Sequence, residues 1–143
     1  MKTFRDTIPI NQTPQEAPLR GGTETILLVD DADSLRALTR QLLEDSGYTV
    51  LDSGDPLEAL RIASEYPGPL PLLITDMFMP ALSGSVLAER VATVRPKTKV
   101  LYASGYSDGS IEQFQVRGKS FSFLKKPFTR EGLLRKVREL LDT

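Results

Sequence analysis

The chain contains no cysteine, no histidine and no tryptophan among its 143 residues. Without cysteine there are no disulfides and no thiolate chemistry, which is compatible with a reducing compartment. Without histidine, a Ser-His-Asp hydrolase, a His-ligated zinc site and a phosphohistidine donor are all excluded. Any chemistry runs on carboxylates, hydroxyls and lysines. A charge excess is missing too: 18 Lys and Arg stand against 19 Asp and Glu, for a net charge of −1. No basic footprint for nucleic acid or an anionic membrane surface results. No apolar run approaches membrane-spanning length, and the first residues lack the apolar core of a signal peptide. The expectation is a cytoplasmic domain with no nucleic-acid partner and no membrane insertion.

What is present is a regular alternation of short apolar runs and helical patterns. Residues 1–22 are polar, carry Pro9, Pro14 and Pro18, and read as a flexible tail or linker ending at Gly21-Gly22. Residues 23–143 read as one domain, long enough to bury a core. Thr25 to Val29 is an apolar run of strand length that stops at Asp30-Asp31. Leu35, Leu38, Leu42 and Leu43 recur at helical spacing, with Gly47 as the stop. Thr49 to Leu51 is the second strand; Asp55-Pro56 is an N-cap with proline at the first helical position, and Leu57, Leu60 and Ala63 line that helix. Leu70 to Thr75 is the third strand, ending at Asp76, and a helix from Ser83 to Thr93 turns Val86, Leu87 and Val91 inward. Val100 to Ala103, ending at Ser104, and Phe121 to Leu124, followed by Lys125-Lys126-Pro127, are the remaining strands. A helix from Thr129 carries Leu133, Leu134, Val137, Leu140 and Leu141. The helix expected between the last two strands, Ser110 to Val116, is weak, with Gly105, Gly109 and Gly118 around it.

Strand–helix units in series imply a parallel sheet covered on both faces, with right-handed crossovers. In such α/β sheets the ligand crevice lies outside the carboxyl ends of the strands. The polar residues collect there: Asp30 and Asp31, Asp76, Ser104 and Lys126. Carboxylates gathered at one rim repel each other by roughly 4 kcal/mol per pair at 4 Å and an effective dielectric of about 20. A proton or a cation relieves this, and an all-oxygen site suits Mg2+ or Mn2+ better than zinc. Such a cation offsets charge on a phosphoryl group, for which a carboxylate is a competent nucleophile. Lys126 and the Ser104 hydroxyl supply a point charge and a hydrogen bond for its oxygens.

Leu27 to Asp31, Thr75-Asp76-Met77-Phe78-Met79-Pro80 with Ser83-Gly84, Ser104-Gly105-Tyr106 and Lys126-Pro127-Phe128 together resemble the signature set of two-component response-regulator receiver domains. The resemblance spans about residues 23–141. It implies a doubly wound, flavodoxin-like α/β fold with strand order 2-1-3-4-5. It further implies that Asp76 accepts a phosphoryl group from a sensor histidine kinase or a histidine phosphotransfer protein. Asp31 and Asp76 would bind the metal through side chains, Phe78 through its backbone carbonyl, and Asp30 mainly through water. Ser104 would turn toward the phosphoryl group, Lys126 would be the site lysine, and Phe123 would be the switch aromatic facing a downstream protein target. The Gly21 to Ile26 lead-in and the Ala103 to Asp108 segment look like receivers at the C-terminus of hybrid sensor histidine kinases, and Thr3 to Pro9 resembles the closing strand of a kinase ATP-binding domain. Phe78 departs from the pattern as a bulky group where water would approach, which predicts slowed hydrolysis of the acyl phosphate.

Blander and rival readings stand beside this one. Asp30-Asp31 reads equally as a helix-capping pair, Asp76 and Ser104 as turn residues, and Phe123 as plain core. A phosphorylation-independent interaction domain of the same fold is one rival. A Mg2+-dependent phosphatase using Asp31 as nucleophile, in an Asp31-Ala32-Asp33-Ser34 paired-aspartate arrangement, is another.

Overall fold

The computed structural model describes residues 21–105 and 122–143. The element order is β1 (Thr25–Val29), α1 (Asp33–Asp45), β2 (Thr49–Ser53), α2 (Pro56–Glu65), β3 (Leu72–Asp76), α3 (Gly84–Val94), β4 (Lys99–Ser104), β5 (Ser122–Lys125) and α4 (Arg130–Leu141). The helix expected over Ser110 to Val116, and Phe121 at the expected start of the last strand, lie outside the described residues. All strand pairs are parallel, and the five strands run in the order β2-β1-β3-β4-β5. The direction of winding therefore reverses between β1 and β3, which lie side by side. A crevice opens at such a reversal.

Successive strand residues feed two cores. Leu27, Val29 and Leu73 join Ala59, Ala63, Leu87 and Val91 of α2 and α3 on one face. Ile26, Leu28, Leu72 and Ile74 join Leu43 of α1 and Leu133, Leu134 and Val137 of α4 on the other. Burial on both faces explains why β1 and β3 are continuous apolar runs rather than alternating ones. Each such side chain contributes about 1.5–3 kcal/mol to that burial.

Local signals set the helix ends. Asp55 accepts the Leu57 N–H at 3.0 Å ahead of Pro56, Ser83 accepts the Val86 N–H at 3.3 Å, and Thr129 accepts the Gly132 N–H at 2.9 Å. Gly47 follows α1 with φ of 101°, a left-handed conformation that suits glycine.

The inward stripes differ from expectation at two leucines. Leu38 is 54% exposed, and Thr39 is buried in its place. The threonine is tolerated because its hydroxyl donates to the Leu35 carbonyl at 2.8 Å, one turn back. Leu57 is 53% exposed, because it stands in the first turn of α2, and that helix approaches the sheet through Ala59 and Ala63. The strands also extend beyond their apolar cores, with β2 reaching Ser53 and β4 starting at Lys99. At the N-terminal boundary, Gly22 donates to the Ser46 carbonyl at 3.1 Å, and Arg138 donates to the Gly21 carbonyl at 3.0 Å. Those two glycines are bonded to the domain; residues 1–20 of the expected tail lie outside the described residues.

Candidate functional site

β1 ends one residue before Asp30, and the Asp30 N–H still reaches the Ser53 carbonyl at 3.2 Å, so Asp30 leaves the sheet in the direction of its strand. Its side chain folds back to accept the Ala32 N–H at 2.9 Å. Ala32 is the N-cap of α1 and makes no side-chain cap, so neither Asp30 nor Asp31 serves as the helix's capping residue. Asp76 is the last residue of β3, paired with Ala103, and the ladder continues one step as Met77 N–H donates to the Ala103 carbonyl at 3.3 Å. Adjacent strands therefore deliver Asp30-Asp31 and Asp76 to one rim. One carboxylate oxygen from each of Asp30, Asp31 and Asp76 lies within 4.8 Å of the others. Asp30 is buried, Asp76 half-buried and Asp31 exposed.

Lys126 follows β5, and its backbone N–H donates to the Ser104 carbonyl at 2.7 Å. Its ammonium lies 2.9 Å from Asp30 Oδ2 and 3.4 Å from Asp76 Oδ2, whereas Lys125 beside it is exposed. At the winding reversal an acidic trio therefore gathers around one ammonium, which lies across two of its members. A model of the response regulator receiver domain family matches residues 26–138. The chain belongs to that family.

The receiver is 32% identical over 121 residues to "Sensor kinase CckA" of Brucella abortus (strain 2308), covering 85% of this chain and 13% of that protein. It is 28% identical to "Response regulator receiver protein CpdR" of the same strain, covering 81% of this chain and 95% of the other. The crystal structure of the receiver domain from the hybrid histidine kinase CckA is 34% identical with a TM-score of 0.69, and the match covers 82% of this chain and 98% of that one. The match therefore spans a small part of the sensor kinase and nearly all of CpdR. Receiver domains of two-component phosphorelays are regulatory domains whose general function is phosphorylation on an aspartate, and they generally bind Mg2+ in an acidic pocket.

The receiver's electrostatics follow from this crowding. Burial pushes the Asp76 carboxyl above its ordinary range; Lys126 opposes the shift and Asp30 adds to it. At 4.8 Å and an effective dielectric of about 20, each carboxylate pair costs roughly 3–4 kcal/mol. Oxygens bound to Mg2+ at about 2.0–2.1 Å stand about 3–4 Å apart, so a small contraction of this trio matches an octahedral cation. The hard, all-oxygen donor set suits Mg2+ or Mn2+ better than zinc.

Of the other expected site residues, Ser104 and Phe78 stand at the carboxyl ends of β4 and β3, and Phe123 lies within β5. Ser104 ends β4, fully buried. Phe78 is 38% exposed in the turn after β3, its N–H 3.5 Å from Asp76 Oδ1. Phe123 sits opposite Tyr102 in register and packs, partly buried, against the core that holds Tyr102. Tyr106, the third member of the Ser104-Gly105-Tyr106 motif, lies outside the described residues.

Two residues matter to which sequence reasoning gave no role of their own, Gly84 having entered only as part of a motif and Arg36 not at all. Gly84 opens α3 directly against β3: a Cβ there would lie 2.1 Å from the Asp76 carbonyl oxygen. The signal was glycine at the first position of a helix, where other residues propagate a helix better. Arg36 reaches back from α1 to donate to the Asp30 carbonyl at 2.7 Å and to Asp52 at 3.0 Å. These partners are a backbone carbonyl and a residue on β2, so only the fold reveals its reach.

Proposed function

We propose that Asp76 accepts a phosphoryl group from a phosphohistidine on a sensor histidine kinase or histidine phosphotransfer protein. The observation that carries this reading is the convergence of Asp30, Asp31 and Asp76 within 4.8 Å, with the Lys126 ammonium 3.4 Å from Asp76. The Asp31 and Asp76 side chains and the Phe78 backbone carbonyl, with Asp30 mainly through water, would hold Mg2+ or Mn2+. The bound cation supplies charge neutralisation for the phosphoryl oxygens.

The chain's own groups do the rest. An Asp76 carboxylate oxygen attacks phosphorus in line, the donor's P–N bond breaks, and its electron pair leaves with the imidazole. Lys126 turns from the carboxylates to a phosphoryl oxygen, and the Ser104 hydroxyl donates to another. Movement of Ser104 and Phe123 alters the surface read by a downstream protein target. Slow loss of the phosphoryl group to water resets the domain, which works as a switch in the cytoplasm and not as an enzyme with turnover. Residues 23–143 form the receiver and residues 1–22 the linker in this reading.

Incubation with Mg2+ and a small acyl-phosphate donor is expected to label the wild-type protein and to leave Asp76→Asn unlabelled. Full labelling of Asp76→Asn, or labelling independent of a divalent cation, would overturn the proposal. The phosphatase reading places the acyl phosphate on Asp31. Asp76 is favoured because Lys126 lies against its carboxylate.

A further inference from the structure

Arg36 makes contacts that a solvated helix charge does not need. Its side chain is 18% exposed, and its guanidinium joins three groups: the Asp33 carboxylate at 2.9 Å, Asp52 Oδ2 at 3.0 Å and the Asp30 backbone carbonyl at 2.7 Å. The last contact fixes more than one oxygen. The Asp30 carbonyl and the Asp31 N–H belong to one planar peptide, so holding that oxygen sets the direction in which Asp31 leaves the backbone. Asp31 is the exposed member of the trio, and Asp30 and Asp76 already share Lys126. The turn after β2 closes over the same guanidinium: a Cβ at Gly54 would lie 2.5 Å from Arg36 Nη1 and 3.3 Å from Cζ.

We propose that Arg36 is a positioning residue for the acidic site, clamping the Asp30–Asp31 peptide so that the Asp31 carboxylate meets a divalent cation without rearrangement. The inference rests on the reading that Asp30, Asp31 and Asp76 hold such a cation. The clamp has a consequence of unexpected sign. Arg36 is itself a cation near the site, so by charge alone its removal would tighten metal binding. As a clamp, its removal weakens binding, by roughly tenfold on the scale of groups that orient metal ligands from behind.

The test is Mn2+ binding to the full chain, read by electron paramagnetic resonance of free Mn2+ without a phosphoryl donor. Arg36→Ala is expected to raise the Mn2+ dissociation constant roughly tenfold. Arg36→Lys recovers part of the loss, since an ammonium is a single point charge and cannot hold Asp52 and the Asp30 carbonyl as a fork does. Gly54→Ala keeps every charge and displaces only the far end of a flexible side chain, so it should also weaken binding, and it decides the matter if Arg36→Ala does not fold. Arg40→Ala removes another cation bound to Asp52, with Glu44 as its second partner, and should leave Mn2+ affinity equal or slightly higher. Affinity unchanged or increased in both Arg36→Ala and Gly54→Ala, or an Arg40→Ala loss as large as theirs, overturns the clamp. No Mn2+ binding by the wild-type protein overturns the site reading itself, and the clamp with it.

Discussion

Replacing Gly84 by alanine would place a methyl group against the backbone that carries Asp76. The added Cβ would lie 2.1 Å from the Asp76 carbonyl oxygen, 3.0 Å from its carbon and 3.1 Å from Met77 Cα. All three are main-chain atoms, so no side chain can swing aside. Separation to 3.0 Å, still a tight contact, requires a shift of about 0.9 Å between α3 and the end of β3. Overpacking of this kind costs about 1–3 kcal/mol. Against it stands the better helix propensity of alanine, which favours the variant by at most about 1 kcal/mol. Because only main chain can give way, the cost falls in the upper part of that range, about 2–3 kcal/mol, and the net loss of about 1–2 kcal/mol lowers Tm by roughly 3–6 °C for a domain of this size. Because the shift moves the residue bearing the acceptor carboxylate, labelling by a small acyl phosphate should slow as well. Thermal unfolding by circular dichroism and the initial labelling rate measure both. A Tm equal to or above wild type with an unchanged rate would refute the reasoning, because propensity alone predicts that result.

Other consequences are independent of that contact. Arg95 donates to the carbonyls of Ala63, Gly68 and Tyr66, closing the end of α2; Arg95→Ala should cost about 2–3 kcal/mol in denaturant unfolding while leaving Mn2+ affinity unchanged. Burial pushes the Tyr102 phenol up to about 12, with Glu89 adding to the shift. The folded state therefore holds that proton more tightly than the unfolded chain, whose phenol titrates near pH 10. This contribution is fully present below about pH 10 and is lost as pH rises toward about 12, so Tyr102→Phe should lose less stability than wild type across that window. Equal losses in alkaline unfolding titrations would contradict it. Phe78 is partly exposed two residues after Asp76; Phe78→Asn should shorten the lifetime of the labelled form, and an unchanged lifetime would remove Phe78 as the barrier to water.

Much of this architecture was legible because the central strands are uninterrupted apolar runs with a polar residue at the carboxyl end, and α2, α3 and α4 each carry their own cap. Burial of Ile26 to Val29 and of Leu72 to Ile74 on both faces of the sheet leaves no periodicity to misread, so β1 and β3 stood out. The helix stripes were less legible. In α1 the buried stripe passes through Thr39, whose hydroxyl is satisfied within the helix, so hydrophobicity alone pointed to Leu38. In α2 small alanines set the contact with the sheet while Leu57 stands out at the rim. The acidic residues were readable as strand ends, yet their convergence depends on β1 and β3 being neighbours, which is a property of topology. The roles of Arg36, Arg95 and Arg138 were not legible because their partners include backbone carbonyls and residues far along the chain, as with Arg138 and Glu24 at 2.7 Å.

The proposed switch stands on Asp76, and not Asp31, taking the phosphoryl group. Borohydride reduction of the labelled protein converts an aspartyl phosphate to homoserine, which peptide mass spectrometry locates. Homoserine is expected at position 76, in a Mg2+-dependent yield; homoserine at position 31, or none at either position, would contradict the assignment.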